Sequence, residues 1–308
     1  MLLLSADCVF EGGGVKGIGL VGAICYLEEK GYTWNKLAGT SAGAVIASLL
    51  CAGYSANDIK SIIFGFDYKK FLNVKDISVL SSIIRPFDFF SQKGLISGDE
   101  IENWIRESLK KKGINTFKDV SLNGKSKLKI IAADITRREL LILPDDLEKY
   151  NINPLEFEIA KAVRMSIGIP FLFKPVKLKY NNTTCFIIDG GILSNYPIWI
   201  FDVPKKPRWP TFGFKLVEPD VSNSSMGKND FFSYSIDIVN TLFSKNEEIY
   251  VKEKDWVRTI PIPTLGIKTI EFDLTEKKKK SLFDSGYNAA KKFLDNWNFE
   301  KYISDYRS

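Results

Sequence analysis

A β-like run that stops at a tight turn and passes directly into a helix occurs twice near the start of this chain. Residues 7–10 are followed by Glu11-Gly12-Gly13-Gly14 and a helical pattern from about Val15 to Lys30. Residues 37–40 then lead into Ser41 and a second helical stretch through about Ala52. Strand, turn and helix in immediate succession build parallel sheets, because each helix carries the chain back to where the next strand can start. The expected fold is α/β with a central, largely parallel sheet. With 308 residues, 45% of them apolar, the chain can fill one large core, and a single domain over residues 1–308 is expected.

Farther along, residues 56–72 and 99–112 read as amphipathic helices, the second opening on the cap signal Ser97-Gly98-Asp99. The connection between them is aromatic, Arg85-Pro86-Phe87-Asp88-Phe89-Phe90. Paired strands are predicted at 127–135 and 138–143, a helix at 155–165, a buried strand at 184–188 and a last helix at 278–297, with the lysines at 277–280 solvated at its start. Residues 204–230, rich in Pro, Asn and Ser, read as surface loops. No internal repeat is visible.

Composition limits the chemistry more sharply than the fold. Histidine is absent, which excludes a Ser-His-Asp triad, a His-ligated metal and a histidine base. Cys8, Cys25, Cys51 and Cys185 form no C-x-x-C pair and read as buried free thiols, so no metal site and no cofactor are expected. Lys and Arg number 43 against 37 Asp and Glu, a surplus of +6 spread along the chain. A nucleic-acid partner would call for a denser basic cluster. The start Met-Leu-Leu-Leu-Ser-Ala-Asp-Cys has no basic n-region, so no signal peptide is read. Residues 37–54 approach membrane-span length, but their Gly, Ser and Thr favour a buried helix. A cytoplasmic protein, able to sit peripherally at membranes, is expected.

Gly39-Thr40-Ser41-Ala42-Gly43 fits G-x-S-x-G at a strand-to-helix turn, where a serine hydroxyl is lifted above the sheet at a helix N-terminus. Such a pentapeptide arises by chance in roughly one chain in ten of this size, so it needs support. Support comes from Gly12-Gly13-Gly14-Val15-Lys16-Gly17, whose unshielded N–H groups can converge on an anion. Gly17-Ile18-Gly19-Leu20-Val21-Gly22 also matches the dinucleotide fingerprint, but the second strand lacks the acidic residue that fingerprint expects. With no histidine, Ser41 needs another base. Ser108 with Lys111 and Ser126 with Lys129 satisfy S-x-x-K without its companion motifs. The better candidate is Asp189 of Asp189-Gly190-Gly191, placed by its apolar run at the end of a buried strand; the competing reading of that triplet is a simple turn.

Taken together, these blocks resemble the patatin-like phospholipases, in that family's order. Arg164-Met165-Ser166-Ile167-Gly168-Ile169-Pro170-Phe171-Leu172-Phe173-Lys174-Pro175 resembles its Ser-and-Pro block, Asn195-Tyr196-Pro197 follows Asp-Gly-Gly as it does there, and Lys93-Gly94-Leu95-Ile96-Ser97-Gly98 resembles a segment before a family helix. The likeness covers residues 7 to about 200 and fades beyond. It implies a three-layer α/β/α domain and a lipid acyl hydrolase with Ser41 as nucleophile and Asp189 as general base. Backbone N–H groups of Gly12, Gly13, Gly14 and Ala42 would form the oxyanion hole, with Lys16 adding charge or fixing the loop. Gly39, Gly43, Gly17, Gly190 and Gly191 complete the motifs. The implied partner is a phospholipid or other acyl lipid at a membrane surface; no oligomeric state and no activating partner are assigned. Partial burial is expected to raise Asp189 from a carboxylate's usual value near 4, giving a pH profile without a histidine limb near 6.5. Phe87 to Phe90 are read as core or as lining of an acyl pocket. The competing functional readings are a catalytically silent lipid-binding module on the same fold and a nucleotide-binding enzyme.

Overall fold

The computed structural model describes residues 4–67, 93–218, 231–245 and 252–306. Twelve strands lie among them: β1 (Leu4–Phe10), β2 (Tyr32–Thr40), β3 (Gly94–Ile96), β4 (Ser121–Leu122), β5 (Lys125–Ser126), β6 (Leu128–Asp134), β7 (Glu139–Leu143), β8 (Phe171–Phe173), β9 (Val176–Tyr180), β10 (Thr183–Asp189), β11 (Thr211–Val217) and β12 (Thr259–Pro263). The α-helices are α1 (Gly17–Glu29), α2 (Ala42–Cys51), α3 (Ala56–Phe64), α4 (Asp99–Lys110), α5 (Ile159–Ser166), α6 (Phe231–Lys245), α7 (Glu253–Trp256), α8 (Glu276–Asn296) and α9 (Phe299–Tyr306).

The central sheet runs β12-β11-β1-β2-β6-β10-β9, with β7 also on β6. From β12 to β6 every pairing is parallel; β7 and β10 are antiparallel to β6, and β9 to β10. The α/β class and the largely parallel sheet are as the strand-turn-helix repeats imply. Interior strands of such a sheet are covered on both faces, and β1 shows it: Cys8 and Phe10 enter the main core while Val9, on the other face, packs with Ala38, Tyr196, Ile198 and Phe201. Helices α1, α2 and α8 lie over the first face, with α3 packed on α1 and α2, and α5 beside α2 against β6 and β10. On the second the cover is short 3₁₀ turns, Gly190–Ile192 and Ile198–Phe201.

Three expectations change. Within 204–230, read as loops, β11 is a buried central strand; its uninterrupted Thr-Phe-Gly-Phe-Lys-Leu-Val is the run of a strand covered on both faces, masked in sequence by the Pro-rich residues before it. The helix expected from 155 starts only at Ile159, because Asn153-Pro154 holds the chain in a turn. Among the four lysines at 277–280, Lys279 is buried and donates to the Phe64 carbonyl at 3.1 Å. The aromatic run 85–90 and residues 68–72 lie outside the described residues. β12 went unread because its prolines argue against a central strand; it is an edge strand, where proline is tolerated. Cys8, Cys25 and Cys185 are buried and Cys51 half-buried, all as free thiols.

The C-terminal third is bound to the sheet by α8. Thr275 caps this helix by accepting the Lys278 N–H, and its backbone lies directly on α1: a Cβ on Gly22 would stand 2.0 Å from the Phe283 carbonyl oxygen, and one on Gly286 1.8 Å from that of Gly19. Gly19 and Gly22 therefore serve helix contact inside α1, and no phosphate-facing turn exists where the dinucleotide fingerprint needs one. Gly286→Leu forces the helices apart. It should cost about 1–3 kcal/mol, read as a melting temperature several degrees lower with the circular dichroism of the folded state retained.

Candidate active site

β6 pairs with β7 along residues 130–134, with β2 along 128–131 and with β10 along 132–134. Because β7 overlaps both of the others, it must occupy one edge of β6 while β2 and β10 share the second. On that shared edge β2, parallel to β6, ends with Thr40 opposite Ile131, and β10, antiparallel, ends with Asp189 opposite Ala132. The two strand ends meet head to head. Ser41 follows one and Asp189 closes the other.

The turn at Ser41 is very tight. Ser41 has φ 52° and ψ −122°, a conformation that strains any residue with a Cβ. A Cβ on Gly39 would stand 2.3 Å from the Gly43 carbonyl, and one on Gly43 2.4 Å from the Phe10 oxygen, so both glycines are dictated by close approach. Ser41 N–H donates to Ser166 Oγ at 2.9 Å, and that hydroxyl donates to the Ile131 carbonyl at 2.6 Å. Ser166 thus fills the gap where β2 leaves β6. Ser41 opens α2; the Ala44 and Val45 N–H groups return to its carbonyl, and those of Ala42 and Gly43 have no acceptor earlier in the helix.

Asp189 is completely buried. Its Oδ1 accepts the Gly191 N–H at 2.8 Å, while Oδ2 meets no donor at hydrogen-bond distance and angle among the described residues. Burial pushes its carboxyl up to about 7, against the opposing pull of the Gly191 N–H and, from outside hydrogen-bond geometry, the Ser41 hydroxyl. Burial is total where partial burial was expected. A carboxyl near 7 sits in the range where a histidine ordinarily titrates. The turn reading of Asp-Gly-Gly is also satisfied, since Asp189 caps the 3₁₀ turn Gly190–Ile192.

The glycine run flanks the same point. Gly12 N–H donates to the Asn195 carbonyl at 3.1 Å and is already engaged, unlike its expected role; no such bond is formed by the N–H of Gly13 or Gly14 among the described residues. Gly14, at φ 55°, lies so close to Thr269 that a Cβ would stand 2.1 Å from that carbonyl. Lys16 is buried and turned to Glu218, with Nζ 2.7 Å from Oε1, which makes it a loop anchor. A Cβ on Gly17 would stand 3.2 Å from that of Ala42, bringing the two helix starts together.

Beside Ser41 opens an apolar cavity walled by Val45 and Ile46 of α2, Trp104 of α4, and Phe66, Phe173 and Phe272. Among the described residues, Ser41 carries the one hydroxyl in its lining. The segments 93–98 and 164–175 meet beneath it: β3 pairs with β8, and the buried Arg164 guanidinium donates to the carbonyls of Ser97 and Lys174. Ser166, Trp104 and Phe272 carried no assigned role in the sequence; the signal for Ser166 was a small polar residue ending an amphipathic helix next to Gly168 and Pro170.

The family model for patatin-like phospholipases matches residues 8–202. The chain belongs to that family. YqhO of Bacillus subtilis is 36% identical over 293 residues, spanning 95% of this chain and 99% of that protein, and a probable lipid hydrolase, 463L of invertebrate iridescent virus 6, is 29% identical over 62% of this chain and 61% of its own. Among solved structures, VipD of Legionella pneumophila superposes with a TM-score of 0.57 at 21% identity over 94% of this chain and 66% of its own. ExoU of Pseudomonas aeruginosa, solved in a heterodimeric complex with SpcU, gives 0.54 at 18% identity over 98% and 52%. This chain thus spans about half to two thirds of those longer chains, and the likeness is one of fold. Patatin-like membership brings lipid acyl-ester hydrolysis as the activity class. No helix among the described residues is long and apolar enough to cross a membrane.

The raised Asp189 pKa makes a prediction about stability in this patatin-like fold. Because the folded value near 7 exceeds the unfolded value near 4, ionising Asp189 is penalised in the folded state. The penalty is absent below pH 4, grows between 4 and 7, and is constant above, at about 4 kcal/mol. Asp189→Asn removes it, so the variant should melt above wild type at pH 8 and converge on it at pH 4.

Proposed function

We propose that this patatin-like protein hydrolyses fatty-acyl esters of phospholipids or other acyl lipids at a membrane surface, through a Ser41–Asp189 dyad and an acyl-enzyme. The observation that carries the reading is a strained, cavity-facing serine beside the end of the strand that carries a buried carboxylate whose Oδ2 has no hydrogen-bond partner among the described residues. In this reading Ser41 Oγ bonds to the ester carbonyl carbon as its proton passes to Asp189. The carbonyl electron pair moves to oxygen, where the N–H groups of Gly13, Gly14 and Ala42 and the start of α2 receive it. Collapse breaks the ester C–O bond, and Asp189 returns the proton to the leaving alcohol. Water then attacks the acyl-enzyme, gives a proton to Asp189, and releases the fatty acid as Ser41 recovers its own. No cofactor enters these steps.

One feature favours an acyl lipid over a small polar ester. Among the described residues the cavity lining is apolar apart from Ser41 and the indole N–H of Trp104, which suits a hydrocarbon chain. A carboxyl near 7 is half ionised at neutral pH, so it can act as base in one step and acid in the next.

The test is fatty-acid release from phospholipid vesicles, galactolipids and p-nitrophenyl esters. Ser41→Ala and Asp189→Asn should each lower kcat at least about 10³-fold, and wild-type kcat/KM should rise with pH through about 7. A wild type that neither hydrolyses the panel nor reacts with a fluorophosphonate points instead to the silent lipid-binding module.

A further inference from the structure

Gly12 is held on three sides by a single residue. Its N–H donates to the Asn195 carbonyl at 3.1 Å, and its own carbonyl accepts from Asn195 Nδ2 at 3.1 Å. A Cβ on Gly12 would stand 2.3 Å from Asn195 Oδ1 and 3.1 Å from Ser41 Cβ. Chemistry fixes the orientation of the amide: Nδ2 faces two acceptors, the Gly12 carbonyl and Glu11 Oε1 at 3.5 Å, and the reverse setting would turn Oδ1 against both. Oδ1 is left buried with no donor among the described residues, against the Gly12 α-carbon. An unpaired buried acceptor costs about 1–3 kcal/mol, so its retention calls for an explanation beyond packing.

We propose that Asn195 is a positioning residue for ester hydrolysis: it locks the Gly12 peptide, so that the N–H groups of Gly13 and Gly14 are aimed at the developing oxyanion before substrate arrives. The proposal rests on the hydrolase reading above. Glycine peptides rotate easily because no Cβ restrains them; two opposed hydrogen bonds to one asparagine remove that freedom at Gly12. The clasp is itself braced, since Glu11 Oε1 takes the buried Lys215 ammonium at 2.8 Å and Oε2 takes the Leu216 N–H. It is also continuous with the base. Ser194 N–H donates to the Gly190 carbonyl at 2.9 Å and the Ser194 carbonyl accepts from Thr40 Oγ1 at 3.1 Å, so Asp189, the nucleophile turn and the glycine loop share one strap.

Asn195→Ala and Asn195→Ser are both too short to reach the Gly12 carbonyl. They are compared with wild type on a p-nitrophenyl ester, with active sites counted by fluorophosphonate labelling. Per labelled site, kcat should fall about 10- to 100-fold, less than the roughly 10²–10³ for loss of a direct oxyanion donor, with KM within about twofold. The labelling rate should fall alongside kcat/KM, because that adduct also seats an oxygen among the same N–H groups. A residue that only supports the fold would lower the melting temperature and the number of active sites, leaving kcat per site unchanged; that outcome overturns the proposal. Should both variants fail to fold, Asn195→Asp keeps the shape: its carboxyl can donate to the Gly12 carbonyl only when protonated, so kcat/KM should gain a descending limb that wild type lacks. An unchanged profile counts against the proposal. A wild type that neither labels nor turns over defeats the hydrolase reading itself.

Discussion

The shared edge of β6 is the constraint on which the site depends. Backbone groups buried in a sheet must be paired, so β2 has to end where β10 begins to pair. The handover falls between Ile131 and Ala132, and it leaves the Ile131 carbonyl for Ser166 to satisfy. A Cβ on Gly190 would stand 2.5 Å from that same oxygen, which accounts for the glycine after Asp189. Ser41 and Asp189 are therefore brought together by hydrogen-bond register before any side chain makes a choice. The Ser-and-Pro block contributes the peg that keeps the two strand ends at their spacing.

Such a site stores unfavourable terms that the rest of the fold must offset. Positive φ at a serine costs of the order of 1–3 kcal/mol, and a carboxyl without a counter-charge is held in the interior. Support comes from the most continuous apolar packing in the chain. β1 and β11 are buried along the lengths that flank the glycine loop, with Phe10 and Phe214 stacked at 4.6 Å between centroids. Behind them α1 lies against α8 at backbone contact, so a helix near the C-terminus fixes the element that opens at Gly17 beside Ala42. The part of the chain beyond 202 is in this sense structural support for motifs far ahead of it.

Much of this was legible in the sequence where local chemistry decides the outcome. Gly39, Ser41, Gly43 and Asp189-Gly190-Gly191 announce turns whose geometry admits few residues, and the absence of histidine by itself restricts any base to another residue type. What sequence did not disclose are relations across the fold. β11 was hidden because a strand buried on both faces lacks alternation, and Gly12 was grouped with Gly13 and Gly14 because nothing local shows that its N–H is taken by Asn195. Lys16 read as possible charge at the site, yet its ammonium faces Glu218, 202 positions away. The cavity walls are drawn from α2, α4 and isolated aromatics at 66, 173 and 272, a set with no sequence spacing to recognise.

The proposed dyad would place a heavier demand on its base than a triad does. In a triad a third residue orients the imidazole, which can be adjusted through its own hydrogen bond. Asp189 has a short side chain on a strand end, and Gly191 N–H holds one of its oxygens. Its position is then set almost wholly by the backbone, which explains why the register of β10 and the turn Gly190–Ile192 are so closely constrained. The same backbone anchoring removes the carboxyl from water, and that burial raises it to about 7. Placement and basicity thus have one cause: a strand that ends inside the protein fixes where the carboxylate stands and also raises its affinity for a proton.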